Sequence, residues 1–354
     1  MVTNSSPRRP LVQVLIILFF LASLTATVVA WLITANASER RLKENFFLDS
    51  NNTISWINTR IETYINLLSG VQVSVEINPG VTRTEWDGYI NRTKILEKYP
   101  GLRSINYVQK VPFTNKDSFI KEVLKENSND SPYQSYSIRA IDSNYVKDQK
   151  DFYPVVYTTG KLDDRFRALG FDLSSEKKRA EALFTARDNA QLTLTPLIRF
   201  VINPTNNGFS LILPLYQKEL PLETVKQLQQ AFIGAIYAPF DVNQFFDSIL
   251  KPNGQDAFPN LDLEVYDFQS EDYLYDKDQS ISLLRDNNRY AITAKQTLSF
   301  ANRRWEIVTG IPKKFITDPK WAPPSFIIIV SGLLASLATF FYLQKQLRHE
   351  NTPS

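Results

Sequence analysis

The chain holds one histidine, His349, and no cysteine. Imidazole is the side chain that titrates near neutral pH without help, and thiolates supply nucleophiles and soft metal ligands. Their scarcity removes Ser-His-Asp triads, imidazole zinc sites, thiolate metal sites and disulfides. Carboxylate or lysine chemistry remains open. The acidic pairs Asp163-Asp164 and Glu271-Asp272 have no fixed active-site spacing, however, and there is no glycine-rich phosphate loop. The expectation is a protein that is not an enzyme, with no catalytic residue, no metal and no cofactor.

Binding chemistry is better supplied. Asp172 stands between Phe171 and Leu173 in an apolar stretch. A carboxylate buried there must find a donor, because leaving it bare is costly. It takes hydrogen bonds from a ligand, pairs with Arg165 or Arg167, or caps the helix that follows. Tyr157 and Phe209 read as pocket walls or as core. Thr195 lines a pocket or fills a β position, and Arg187 and Arg199 meet an anionic ligand or stay solvated. A small-molecule pocket needs apolar walls with a few placed polar groups, and these residues provide both.

Such residues need elements to position them. Net charge is +3, from 40 basic and 37 acidic residues, which argues against a nucleic-acid partner. The apolar residues concentrate near the two ends. Leu11 to Ala35 carries no charge, and neither does Pro323 to Leu343. Each is long enough to cross a hydrocarbon core of about 30 Å. The first also has small residues near Ala35 and Ala37, so a cleaved signal peptide is the alternative there. Arg8 and Arg9 precede the first run, while Lys345 and Arg348 follow the second. That bias puts both termini in the cytoplasm and the intervening segment outside. Trp321 and Tyr342 bracket the second run as interface anchors. Ser331, Gly332, Ala335, Ser336 and Ala338 form a stripe of small residues on it.

From Glu39 to Val75 apolar residues recur at helical spacing, which reads as a stalk or as an ordinary domain helix. Asn78-Pro79-Gly80 breaks it. Helices are expected at 84–98 with Thr84 as cap, at 114–126 with Thr114 as cap, and at 174–189 with a Ser cap. Strands are expected at 102–111, 136–140, 152–158 and 168–173. A hairpin with a long turn follows at 191–202 and 208–216. A second mixed unit begins near Leu222, with a helix, strand 232–238, helix 242–250, and strands 261–268, 290–300 and 304–309. This is an α+β pattern, not a doubly wound sheet. Sequons at Asn36, Asn51 and Asn91 matter only in a eukaryotic secretory pathway.

Several blocks, in order, resemble the CHASE domain, an extracytoplasmic sensory module. They are Tyr99-Pro100-Gly101-Leu102, Tyr153-Pro154-Val155-Val156-Tyr157, Ala168-Leu169-Gly170-Phe171-Asp172-Leu173, Ala186-Arg187-Asp188, Leu194-Thr195-Pro196 and Leu213-Pro214-Leu215-Tyr216. The resemblance implies a long N-terminal stalk helix and two PAS-like subdomains flanked by two transmembrane helices. It implies a ligand pocket in the membrane-distal subdomain, with Asp172, Leu194, Thr195, Tyr157, Phe171, Phe209 and Arg187 as ligand-binding residues. Family members bind small molecules outside the cell, adenine-type cytokinins in the plant receptors, and signal to a histidine kinase or nucleotide cyclase.

The domain order expected is a cytoplasmic N-terminus 1–10, transmembrane helix 11–35, stalk 36–77 and membrane-distal ligand-binding subdomain 78–220. A membrane-proximal subdomain 221–321, transmembrane helix 323–343 and cytoplasmic tail 344–354 follow. The tail holds no output domain, so the output lies on a separate polypeptide or the chain is a fragment. The functional expectation is a dimeric, two-pass inner (plasma) membrane sensor of a small molecule. A membrane-anchored extracytoplasmic enzyme and an envelope scaffold are the alternatives.

Overall fold

The computed structural model describes residues 8–78, 80–127, 129–141, 150–160, 167–200, 206–279, 289–313 and 324–349. The Asp163-Asp164 pair, Arg165, the turn at 203–205 and Trp321 lie outside them. The chain divides into two compact units, one of residues 1–50, 287–293 and 310–354, the other of residues 51–286 and 294–309.

In the larger unit, the first sheet is antiparallel. It is built from β1 (Ser104–Gln109), β4 (Val155–Gly160), β5 (Thr193–Leu194), β6 (Ile198–Arg199), β7 (Asn207–Tyr216) and β8 (Phe232–Asp241) in the order β4-β1-β8-β7-β5, with β6 also on β7. A separate ribbon pairs β2 (Val111–Pro112) with β3 (Asp151–Phe152). The expected break at 220–221 falls between β7 and β8, which pair from Gly208↔Asp241 to Tyr216↔Phe232. β8 also pairs with β1, so it is a central strand of this sheet and not the start of a new one.

The sheet is covered on both sides, which is why β7 and β8 read as nearly unbroken apolar runs. One face meets the helix Arg8–Ile77 through its part beyond residue 50. There Ile57, Ile61, Tyr64, Leu68, Val71 and Val75 are buried at alternating spacings of four and three. Tyr64 packs edge-on against Phe240 at 4.8 Å, and Gln72 donates to the Pro214 carbonyl at 2.7 Å. Trp86, on the helix Arg83–Thr93, reaches Tyr107 at 6.2 Å on the same face. The opposite face holds Val108, Val155, Ile212, Ala235 and Tyr237 in one cluster with Leu183 and Ala186 of the helix Lys177–Asn189.

The second sheet runs β10-β9-β12-β11, from β9 (Asp262–Asp267), β10 (Tyr273–Asp276), β11 (Tyr290–Phe300) and β12 (Arg303–Pro312). The helix Val242–Leu250 lies against it, with Phe246 4.8 Å from Tyr275 and 5.6 Å from Trp305.

Local chemistry moved several expected boundaries. The cap of Arg83–Thr93 is Thr82, not Thr84, because Glu85 completes a capping box with Thr82. Lys94, at φ 51°, separates that helix from Ile95–Lys98. A 3-10 turn at Phe113–Asn115 precedes Lys116–Glu126, which has no side-chain cap. The stretches 136–140 and 168–173 are not strands. They meet through a single bridge, Arg139↔Phe171, because Gly170 turns the chain at φ 74°. Asp172 and Glu176, rather than a serine, cap the two helical segments that follow.

In the smaller unit, the apolar part of Arg8–Ile77 and the helix Pro324–His349 are both long and apolar enough to cross a membrane. They run antiparallel and touch at small residues. Ser23 Oγ donates to Ser336 Oγ at 3.1 Å, and Phe20 meets Phe340 at 4.8 Å. A Cβ added at Gly332 would fall 2.3 Å from Thr27 Cγ2. The small-residue stripe is therefore a place of close approach between these helices.

Candidate functional site

The register of the first sheet sets a row of side chains across the face turned away from Arg8–Ile77: Thr158 on β4, Asn106 on β1, Tyr237 on β8 and Ile212 on β7. Asn106 and Tyr237 floor a cleft walled by Phe171, Arg179, Phe200 and Arg103. Its cavity is about 40 Å³, and the empty space including the part open to solvent is about 470 Å³.

Arg179 is buried at the back of the cleft. Its Nε donates to Tyr237 Oη at 3.1 Å, Nη1 to Glu176 Oε2 at 2.9 Å and Nη2 to the Arg199 carbonyl at 2.9 Å. Burial disfavours its charge, but the Tyr237 hydroxyl and the Glu176 carboxylate outweigh that, and its pKa lies above the ordinary value. The guanidinium lies over Phe171 at 5.5 Å. Tyr237 Oη also accepts from Ser210 Oγ at 3.1 Å. The back wall is thus an assembled charged network.

Asn106 is fully buried. Its Nδ2 donates to Ser104 Oγ at 3.0 Å and to the Tyr237 carbonyl at 2.9 Å. A carbonyl can only accept, so the amide orientation is settled and Oδ1 must be the other atom. Among the described residues Asn106 Oδ1 has no donor, and the register neighbour Thr158 Oγ1 is also buried without a partner. An unmatched buried acceptor costs about 1–3 kcal/mol, so this strand keeps a group that core packing alone would remove.

Asp172 is buried beside this cleft and is not one of its walls. Its Oδ1 accepts from Tyr153 N at 2.9 Å, Ser174 N at 3.1 Å and Ser174 Oγ at 2.6 Å. Oδ2 has no partner. Burial pushes the carboxyl above its usual range, and the bonds from Ser174 and Tyr153 only partly oppose this. Of the three roles open to this residue, capping is made here by one oxygen, and the other oxygen is left over.

The remaining expected residues are spread over both faces. Phe171 lines the cleft. Thr195 is on the cleft side, where its Oγ1 accepts from Ser210 N at 2.9 Å. Leu194 pairs with Leu211 on the other face, and its N–H donates to Asn302 Oδ1 at 2.7 Å. Tyr157 pairs with Tyr107, stacks on it at 5.6 Å and has its phenol pushed up to about 12 by burial. Phe209 touches Phe240, Phe245 and Trp305, each at 5.3 Å, and joins the two sheets. Arg187 is held by Asp188 at 2.6 Å and lies over Phe184 at 4.6 Å. Asn106, Tyr237, Arg179 and Phe200 were not found by sequence reasoning. The one local signal was a polar Asn within Ser104-Ile105-Asn106-Tyr107-Val108.

At β9, β10 and the bend after it, Asp262, Asp276 and Asp278 bring carboxylate oxygens within 4.8 Å of one another. Asp262 Oδ1 accepts Leu263 N at 2.8 Å and Asp276 Oδ1 accepts Asp278 N at 3.0 Å, so these groups already serve the backbone.

Comparison with known proteins agrees with the sequence blocks. No curated protein matches the chain in sequence. Solved structures similar to it include an extracellular ligand binding receptor from Desulfohalobium retbaense DSM5692, at 10% identity and TM-score 0.44 over 75% of this chain and 40% of that one. Another is the periplasmic sensory domain of the Campylobacter jejuni chemoreceptor Tlp1, at 11% identity and TM-score 0.46 over 78% of this chain and 98% of that one. The chain thus spans less than half the length of the first of these. The CHASE domain pattern matches residues 79–275, from the loop before the Arg83–Thr93 helix to β10, and with more than half of its length matched this chain belongs to the CHASE domain family.

Proposed function

We propose that this protein is a membrane-bound sensor whose first sheet binds a small molecule and whose two apolar helices carry the response across the bilayer. The observation that supports it most directly is the buried Asn106 on the floor of the cleft, whose Oδ1 has no donor among the described residues. Membership of the CHASE domain family, whose members bind small molecules outside the cell, points the same way. In this reading both termini are cytoplasmic, and the two antiparallel sheets are two PAS-like subdomains, the first membrane-distal and the second membrane-proximal. The protein works as a homodimer and passes its signal to a histidine kinase or nucleotide cyclase. Asp172, with Phe171 beside it in the cleft wall, belongs to the binding region through its free oxygen. Ligand binding shifts the balance between two packings of the domain, as any ligand with different affinities for two states must.

Native mass spectrometry of the full chain in lipid nanodiscs tests this. The expected result is a small molecule carried at up to one copy per chain and lost on washing. Finding no carried species, and no saturable binding of a metabolite mixture by the same preparation, overturns it.

A further inference from the structure

Resting on the sensor reading, we infer that the ligand is a small carboxylate carrying an N–H or O–H donor next to its acid group. Three features of the cleft lead there. The first is size. A cavity of about 40 Å³ takes roughly three water-sized groups, the bulk of a carboxylate or an amino-methyl group. A fused aromatic ring does not enter it unless the walls part.

The second is charge. Among the described residues, those that line the cleft include Arg103, Arg167 and Arg179 and no acidic side chain. Arg179 is matched by Glu176 behind it, and Arg103 stands 3.9 Å from Asp241, a long ion pair. Arg179 is anchored on the helix Lys177–Asn189 and by its own hydrogen bonds, so a carboxylate meets a guanidinium already held in place and loses little freedom in binding it. An ammonium or amidinium headgroup entering alone would meet like charge.

The third is the orphan acceptor. Asn106 Oδ1 accepts and cannot donate, because Nδ2 is committed to the Tyr237 carbonyl and to Ser104 Oγ. A bare acetate leaves it unmatched, whereas a hydroxyl or amino group one carbon from the acid satisfies it. A site built around a buried acceptor discriminates strongly against analogues that lack the donor, because the acceptor is then left bare.

The test is thermal unfolding of the full chain in nanodiscs with glycolate, L-lactate, L-serine or L-aspartate, and with acetate and adenine for comparison. At least one of the four donor-bearing acids is expected to raise the midpoint saturably, with acetate needing at least tenfold more. Arg167→Gln, at an exposed position, is expected to raise the half-saturating concentration at least tenfold, and Asn106→Ala to erase the preference over acetate. The inference is overturned by saturation with adenine alone, by equal response to acetate, by an unchanged response in Arg167→Gln, or by no response to any acid. If a species of another class is carried in the mass spectrum, the ligand class falls and the sensor reading stands. If nothing is carried and nothing saturates, both fall.

Discussion

Asp172 shows how one side chain can hold the fold with one oxygen and leave the other over. Its Oδ1 takes three hydrogen bonds, and its Oδ2 takes none from the described residues. A carboxyl raised above its ordinary 3.8 by burial keeps its proton longer in the fold than in the unfolded chain. Stability therefore falls as pH rises from about that value through the folded-state pKa, and the loss is complete above it. Asp172→Asn keeps an acceptor for Tyr153 and Ser174 and removes the titration. It is expected to unfold at the same or higher temperature than the parent at pH 7, with a smaller drop between pH 4 and pH 7. Asp172→Ala loses the acceptor as well and is expected to cost about 1–3 kcal/mol at both pH values. A larger pH-dependent drop in Asp172→Asn would contradict this account of the carboxyl.

At the scale of elements, the approach of the two apolar helices depends on what Gly332 lacks. Its missing Cβ would sit 2.3 Å from Thr27 Cγ2 and 3.1 Å from Thr27 Cβ, so no rotation of the threonine relieves both. Close approach is what lets membrane helices gain packing where no hydrophobic force drives them together. The chain has no cysteine, which makes crosslinking clean. With Ser23→Cys and Ser336→Cys, whose oxygens now lie 3.1 Å apart, mild oxidant is expected to close a disulfide within one chain. Adding Gly332→Leu is expected to lower its yield at least fivefold, read by gel mobility before and after reduction. An unchanged yield would mean that these helices do not pack through Gly332.

For the whole molecule the matter to test is topology. Uncharged runs near both ends, each with basic residues on its outer side, argue that the body between them is extracytoplasmic. Lys125 is exposed near the end of the Lys116–Glu126 helix. Lys125→Cys is expected to react with a membrane-impermeant maleimide in intact spheroplasts, while a cysteine appended after Ser354 reacts only once the membrane is broken. The reverse order of labelling would invert the topology and leave the cleft facing the cytoplasm.

Apolar runs and their charged flanks, heptad-like spacing before Asn78, and the turn residues Tyr99-Pro100-Gly101 were legible because each acts through its near neighbours along the chain. The membrane-span length, the long first helix, the α+β pattern and the family blocks follow from such local features. The break expected after residue 220 shows where local reading ends. β8 follows a loop and a short helix like the start of a new unit, yet it inserts between β1 and β7 because its apolar faces both find cover there. The same insertion builds the cleft, since it brings Tyr237 beside Asn106, which is 131 positions away in the chain. Strand register also sends Leu194, Tyr157 and Phe209 to the face away from the cleft and keeps Thr195 on the cleft side, while Phe171 reaches the cleft from a turn outside the sheet. A side chain's face follows from pairing partners far off in the chain, and spacing along a single strand carries no record of them.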